Sequence, residues 1–177
     1  MASGARLGLV GMGRIGRAIA RRANGFGIRV IYHNRHRLPE GVEAELGARF
    51  ADLDTLFGQS DIVSVNCPHT PETHHLVNAH RLSQMRPDAY FVNTARGDIV
   101  RKAPLFAALR TGHLGGAGLD VVEEEPLRTP EEAATPNLIV TCHAAFCSPE
   151  GMVEMRTTSA RIARAAVLGE PVWNRVN

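Results

Sequence analysis

The chain has 177 residues, of which 44% are hydrophobic and 21% charged, with a formal net charge of +2. Those values fit one soluble globular domain, and the charge is too small to argue for nucleic acid or an anionic membrane as partner. No apolar run approaches the about 20 residues of a membrane span, and residues 1–5 lack the apolar core of a signal peptide. Three cysteines, Cys67, Cys142 and Cys147, cannot pair completely and match no metal motif. They read as incidental thiols, so the expected setting is cytoplasmic and metal-free.

Residues 7–10 form an apolar run of strand character that ends in Gly11-Met12-Gly13-Arg14-Ile15-Gly16, a Gly-x-Gly-x-x-Gly turn, before the helical pattern of residues 17–23. In that context Gly11 permits the tight turn and Gly13 lets the backbone approach a pyrophosphate. Gly16 lets the helix pack on the sheet. The amides at such a helix start form an anion site that needs no lysine. Gly25 and Gly27 close the helix, and residues 29–33 read as a second strand. A short helix at 40–46 opens on Pro39 and stops at Gly47, and residues 48–50 are a brief third strand. Asp52 can cap a helix carrying Leu53, Leu56 and Phe57. Residues 61–66 are a fourth strand running into the loop 67–73, followed by a helix near 79–85 and a fifth strand at 90–93. A helix at 105–109 ends at Gly112. Its start reads as badly made, because Arg101 and Lys102 place cations where the dipole favours anions, and that end is expected to fray. Residues 115–119 and 138–140 are the sixth and seventh strands. Strands alternating with helices predict an α/β fold: a Rossmann-type, doubly wound parallel sheet of about seven strands in the order 3-2-1-4-5-6-7.

Four stretches fall at the carboxyl ends of predicted strands, where open α/β sheets bind ligands. They are residues 67–73, 93–98, 119–126 and 141–145. Together with the glycine turn, these motifs resemble the nucleotide-binding domain of the D-isomer-specific 2-hydroxyacid dehydrogenases over residues 6–172. The resemblance implies hydride transfer between a nicotinamide and a 2-oxo/2-hydroxy acid. It makes Arg96 the group that grips the substrate carboxylate, a two-point contact suited to a planar guanidinium. His143 becomes the proton donor and acceptor, and Glu125 the carboxylate that stabilises its imidazolium form. Asp120 becomes the residue that holds the nicotinamide carboxamide. Arg14, Ile15, Cys67, Pro68, Thr73, Thr94, Ala95 and Ala145 complete the implied cofactor contacts. Glu123 and Glu124 read as solvated turn charges.

The second strand bears on cofactor choice. An acid that holds the adenosine ribose is expected about 20 residues past the glycines in an NAD-binding chain. That place is taken by Asn34, with Arg35 next to it. An uncharged residue beside an arginine favours a 2′-phosphate, hence NADP over NAD. The family also carries a substrate domain built largely from residues before the nucleotide domain. Residues 1–177 are therefore expected to be a single dinucleotide-binding domain with the substrate domain absent, binding cofactor while turning over poorly. Residues 149–169 resemble a hinge helix, whose apolar face at Met152, Met155, Ile162 and Val167 predicts a homo-oligomer. Competing resemblances are to formate dehydrogenases, which have glutamine where Glu125 stands, and to the C-terminal-binding-protein corepressors, suggested by His143-Ala144-Ala145-Phe146. An isolated cofactor domain without catalysis is the third alternative.

Overall fold

The computed structural model describes residues 4–173, so the first three residues of the leader stretch considered above lie outside it. The chain divides into two compact units, residues 1–142 and 143–177. The first contains β1 (Arg6–Val10), α1 (Arg14–Gly25), β2 (Arg29–His33), α2 (Glu40–Leu46), β3 (Ala48–Phe50) and α3 (Leu53–Gln59). These are followed by β4 (Ile62–Val65), α4 (Ala79–Gln84), β5 (Tyr90–Asn93), α5 (Lys102–Arg110), β6 (Gly116–Leu119), α6 (Pro130–Ala133) and β7 (Leu138–Val140).

All neighbouring strands pair in parallel, and the sheet runs β3-β2-β1-β4-β5-β6-β7, as expected. From β1 the chain winds outward through α1 and α2 to β3. It then returns through α3 to lay β4 against the other side of β1, with Leu7 beside Ile62 and Val10 beside Val65. That reversal opens a crevice outside the carboxyl ends of β1 and β4, which is where a doubly wound sheet can admit a ligand. Period-2 alternation in β1 separates the two cores. Leu7 and Leu9 join Ala20, Ala23 and Leu46 of α1 and α2. Val10 joins the core of Leu56, Phe57, Leu82, Leu105, Phe106 and Leu109 from α3, α4 and α5.

Four local features differ from the sequence expectation. Helix α1 starts at Arg14, three residues before the apolar period becomes visible, because Gly13 serves as its N-cap with extended backbone. A 3₁₀ turn at Gly97–Ile99 and the four-residue α6, capped by Thr129, carry too little periodicity to be read from sequence. The start of α5 is not left bare: the Lys102 amide donates to Glu123 Oε2 at 2.8 Å. Glu123 is thus no solvated turn charge. Its distant carboxylate supplies the anion that Arg101 and Lys102 lack, which corrects the expected fraying.

In the second unit, α7 (Pro149–Val167) starts at Ser148, whose Oγ accepts from the Gly151 amide at 2.9 Å, with Pro149 in the first turn. Of its apolar face, Met152 and Ile162 are half-buried, whereas Met155 and Val167 are exposed. No helix among the described residues is long and apolar enough to cross a membrane.

Candidate functional site

The glycine turn has the geometry its spacing predicts. Gly11 has φ +103°, and a Cβ there would fall 2.6 Å from the Cys67 amide nitrogen on the neighbouring strand end. A Cβ on Gly16 would meet the Gly11 carbonyl oxygen at 2.3 Å, so only glycine lets α1 begin this close to β1. Gly13 differs: nothing lies within 4 Å of where its Cβ would be. That open space lies beside the first-turn amides of α1, which has neither a capping side chain nor an acid in its first turn. The Arg14 and Ile15 side chains are exposed and Gly16 is buried. Their common contribution is the backbone N–H row of the helix start.

A cleft of about 530 Å³ runs from this turn across the crevice. Gly11 and Gly13 line it from the first turn, His33, Asn34, Arg35 and His36 from the end of β2, and Asn66, Cys67, Pro68, Thr70, Glu72 and Thr73 from beyond β4. The size suits a ligand of dinucleotide class. Asn34 Oδ1 accepts from the Met12 amide at 2.7 Å, which ties the turn after β2 to the glycine turn. Of the two neighbouring arginines, Arg37 is committed elsewhere. Its guanidinium grips Glu43 through Nε at 3.0 Å and Nη2 at 2.8 Å, while the Tyr32 hydroxyl donates to the same carboxylate at 2.6 Å. The Arg37 bonds, then the Tyr32 bond, hold the Glu43 carboxyl down to about 2. Arg35 is exposed and lines the cleft instead. Burial pushes the Cys67 thiol up, so it lies against the cleft as an inert thiol. The Thr73 hydroxyl donates to the Pro68 carbonyl at 2.7 Å and accepts from the Thr70 amide at 2.8 Å, which shapes the loop. Asn66 Oδ1 is buried at the cleft with no hydrogen-bond partner.

Next along the sheet, fully buried Asn93 organises the loop that presents Thr94, Ala95 and Arg96. Its Oδ1 accepts from the Ala95 amide at 3.0 Å, its Nδ2 donates to the Arg96 carbonyl at 2.9 Å, and its own carbonyl accepts from the Asp120 amide at 2.9 Å. Arg96 is exposed, with Nη1 donating to the Ala95 carbonyl at 2.6 Å. Asp120 is buried at the end of β6, where Thr141 Oγ1 donates to its Oδ1. Glu125 is exposed on the same loop and accepts from the Val122 amide at 3.2 Å. His143, with φ +55°, and Ala145 begin the second unit.

Sequence reasoning did not foresee the network around Glu123. His75 Nε2 lies 2.7 Å from Glu123 Oε1, and Arg101 Nη1 lies 3.3 Å from His75 Nδ1. Arginine can only donate, so Nδ1 is the acceptor and the proton sits on Nε2, donated to Glu123. Burial alone would raise the Glu123 carboxyl. The bonds from the Lys102 amide and His75 outweigh it and hold the carboxyl below its ordinary range. These partners lie 21 and 48 residues from Glu123, so no local pattern signals them. Met12 is missed for the same reason, its amide bonding a side chain 22 residues on. Asn66 and Glu72 become cleft residues only once β4 lies beside β1. The polar run 34–36 after β2 is a signal the sequence does carry.

The open space at Gly13, the uncapped amides, the orphaned Asn66 oxygen and the basic lip at Arg35 together fit a dinucleotide with anionic phosphates. Comparison with known proteins agrees. Residues 1–145 match the model of the D-isomer specific 2-hydroxyacid dehydrogenase NAD-binding domain. A glyoxylate reductase of Thermococcus onnurineus is 49% identical over 155 residues, covering 86% of this chain and 46% of that protein. A crystal structure of a Thermus thermophilus protein superposes with a TM-score of 0.92 at 42% identity, covering 99% of this chain and 55% of the other. A glyoxylate reductase structure from Paecilomyes thermophila gives a TM-score of 0.86 at 37% identity, covering 94% and 50%. The chain spans about half the length of the relatives it matches.

Proposed function

Since the chain belongs to the D-isomer-specific 2-hydroxyacid dehydrogenase family and carries its NAD-binding domain, we propose that it is the cofactor-binding part of an oxidoreductase acting on a small 2-oxo/2-hydroxy acid. The observation that carries this reading is the cleft at the switch point, with a bare helix start at one end and Asn34 and Arg35 at the other. The amides of Arg14, Ile15 and Gly16 would hold the pyrophosphate, and Asn34 and Arg35 the adenosine ribose. Cys67, Pro68 and Thr73 would wall the cleft, and Thr94, Ala95, Asp120 and Ala145 would serve the nicotinamide end. The nicotinamide, when bound, supplies or receives the hydride. Arg96 would hold the substrate carboxylate through two guanidinium N–H groups, a contact a lysine could not reproduce. By the family resemblance, His143 gives the proton to the new hydroxyl oxygen in reduction and takes it back in oxidation. Glu125 is the carboxylate that favours its charged form.

NADP(H) is the favoured cofactor within this reading. Asn34 brings no negative charge to a 2′-phosphate, and Arg35 lines the cleft while Arg37 is tied to Glu43. The exposed Met155 and Val167 on α7 support self-association, which sedimentation at tens of micromolar tests. The functional test is titration with NADH and NADPH, followed by turnover assays with glyoxylate, hydroxypyruvate and pyruvate. Binding of a reduced cofactor is expected in the wild type and unchanged in His143→Ala, whereas any turnover falls sharply in that variant. Unchanged turnover in His143→Ala would remove the proton-transfer assignment, and no binding of either cofactor would remove the reading as a whole.

A further inference from the structure

We propose that Glu72 is a specificity-determining residue of the cleft: its carboxylate, sharing the adenosine end with Arg35, opposes a 2′-phosphate and favours a bare ribose hydroxyl. This inference rests on the cofactor reading above and adds a residue that works against the arginine. Among the residues lining the cleft, Glu72 is the one carboxylate and Arg35 the one permanent cation. They come from opposite lips, Arg35 from the turn after β2 and Glu72 from the loop after β4.

Two observations make the carboxylate a fixed part of the cleft, and a third leaves Arg35 as its counter-charge there. The turn that carries it is held on both sides of Glu72, by the Thr70 amide on Thr73 Oγ1 at 2.8 Å and by the His74 amide on the Thr70 carbonyl at 2.9 Å. A hydrogen bond with the Thr70 side chain, helped by the positive charge of Arg35, holds the Glu72 carboxyl below its usual range, so it is anionic at neutral pH. Arg37, the other arginine of that turn, is neutralised by Glu43 and lends little charge to offset Glu72.

The chemistry then separates the two cofactors. A 2′-phosphate entering this end gains the attraction of Arg35 but must also approach an anion of its own sign. A 2′-hydroxyl has a proton to give, and a carboxylate accepts it well. Asn34 Oδ1 already accepts from Met12, so Glu72 is the stronger acceptor on offer. Arg35 and Glu72 therefore pull selectivity in opposite directions, and the charge at position 72 sets how far the cleft leans towards the phosphorylated cofactor.

The test is fluorescence titration of the full chain with NADPH and NADH, for wild type, Glu72→Gln and Glu72→Asp, at low and high salt. Glu72→Gln is expected to tighten NADPH about three- to tenfold and leave NADH equal or weaker. Glu72→Asp keeps the charge and should keep the wild-type ratio. The gain should shrink at high salt, because the opposing charges are near solvent. If Glu72→Gln moves both cofactors equally, or neither, Glu72 sets no specificity while the cofactor cleft stands. If the wild type binds neither cofactor, the cleft reading itself falls and this proposal with it.

Discussion

Helices α1 and α5 both begin without a capping side chain of their own, yet only α5 has a carboxylate at its first amide. Elsewhere Asp52, Asn78, Thr129 and Ser148 cap α3, α4, α6 and α7, and α2 has Glu40 and Glu43 in its first turn. Orphaned amides at a helix start cost free energy unless something anionic or polar meets them. Among the described helices a side chain meets this demand at α3, α4, α5, α6 and α7, whereas α1 has neither a capping side chain nor an acid in its first turn. At α1 Gly13 instead stands before open space. A local defect of sequence at α5 is repaired over a long range. The equivalent bareness at α1 follows from Gly13, and in the proposed cofactor reading it leaves the first-turn amides to the pyrophosphate.

The comparison breaks most directly if α1 is given a cap. Gly13→Asp is sterically free, since nothing lies within 4 Å of its Cβ, and its carboxylate would occupy the first-turn amides. Cofactor affinity should fall about 100-fold, a loss on the scale of two charge-assisted hydrogen bonds. Thermal stability should hold or rise slightly, and calorimetry with cofactor titration reads both. The inverse change is at α5. Glu123→Gln removes the charge at that helix start and should cost about 1–2 kcal/mol of stability at neutral pH, with cofactor affinity unaltered.

That loss has a defined pH dependence. The Glu123 carboxyl is held below its ordinary value of 4.5, against burial and through its hydrogen bonds. Its contribution is complete above the ordinary value and disappears as pH falls through the lower folded one. Urea midpoints of wild type and Glu123→Gln should therefore converge on acidification, and a gap that persists well below about pH 4 would count against the charge as the cause.

Smaller effects sharpen the contrast between ends built for structure and ends built for ligand. Arg35→Ala should lower the preference for NADPH over NADH about tenfold without altering stability, as one charge-assisted contact would. Arg37→Ala should do the reverse, weakening the fold at the Glu43 site and leaving selectivity alone. Asn78→Ala, a cap on α4, should cost about 1 kcal/mol and change no cofactor affinity at all. A shift in NADPH binding there would show that α4 reaches the cleft.

Much of this was legible because it is local or periodic. Alternation and apolar runs located the seven strands, and the order of the sheet followed from the family resemblance and crossover handedness. The roles of Gly11 and Gly16 followed from spacing, because a tight turn between strand and helix leaves no room for Cβ atoms. Glu123 was misread because its partners, Lys102 and His75, are distant in sequence and become neighbours only once β4, β5 and β6 lie side by side. The Arg35 and Arg37 side chains look equivalent in sequence. Only the fold shows that one is spent on Glu43 and the other lines the cleft.

Glu123 accepts from both His75 and the Lys102 amide, and so joins the loops that carry them. The link is reinforced by the parallel bridge between Val77 and Val100 and by the Arg101 amide on the Val77 carbonyl at 2.9 Å. Three separate loops are thereby tied into one cooperative element. Each is bonded to both of the others, so the three are expected to open as a unit. The amides of Val77, Arg101 and Lys102 should share a single protection factor in hydrogen–deuterium exchange, and Glu123→Gln should lower all three by a common amount. The wall beside the cleft then behaves as a single panel, and loop-by-loop fluctuation does not blur the position of the groups it supports.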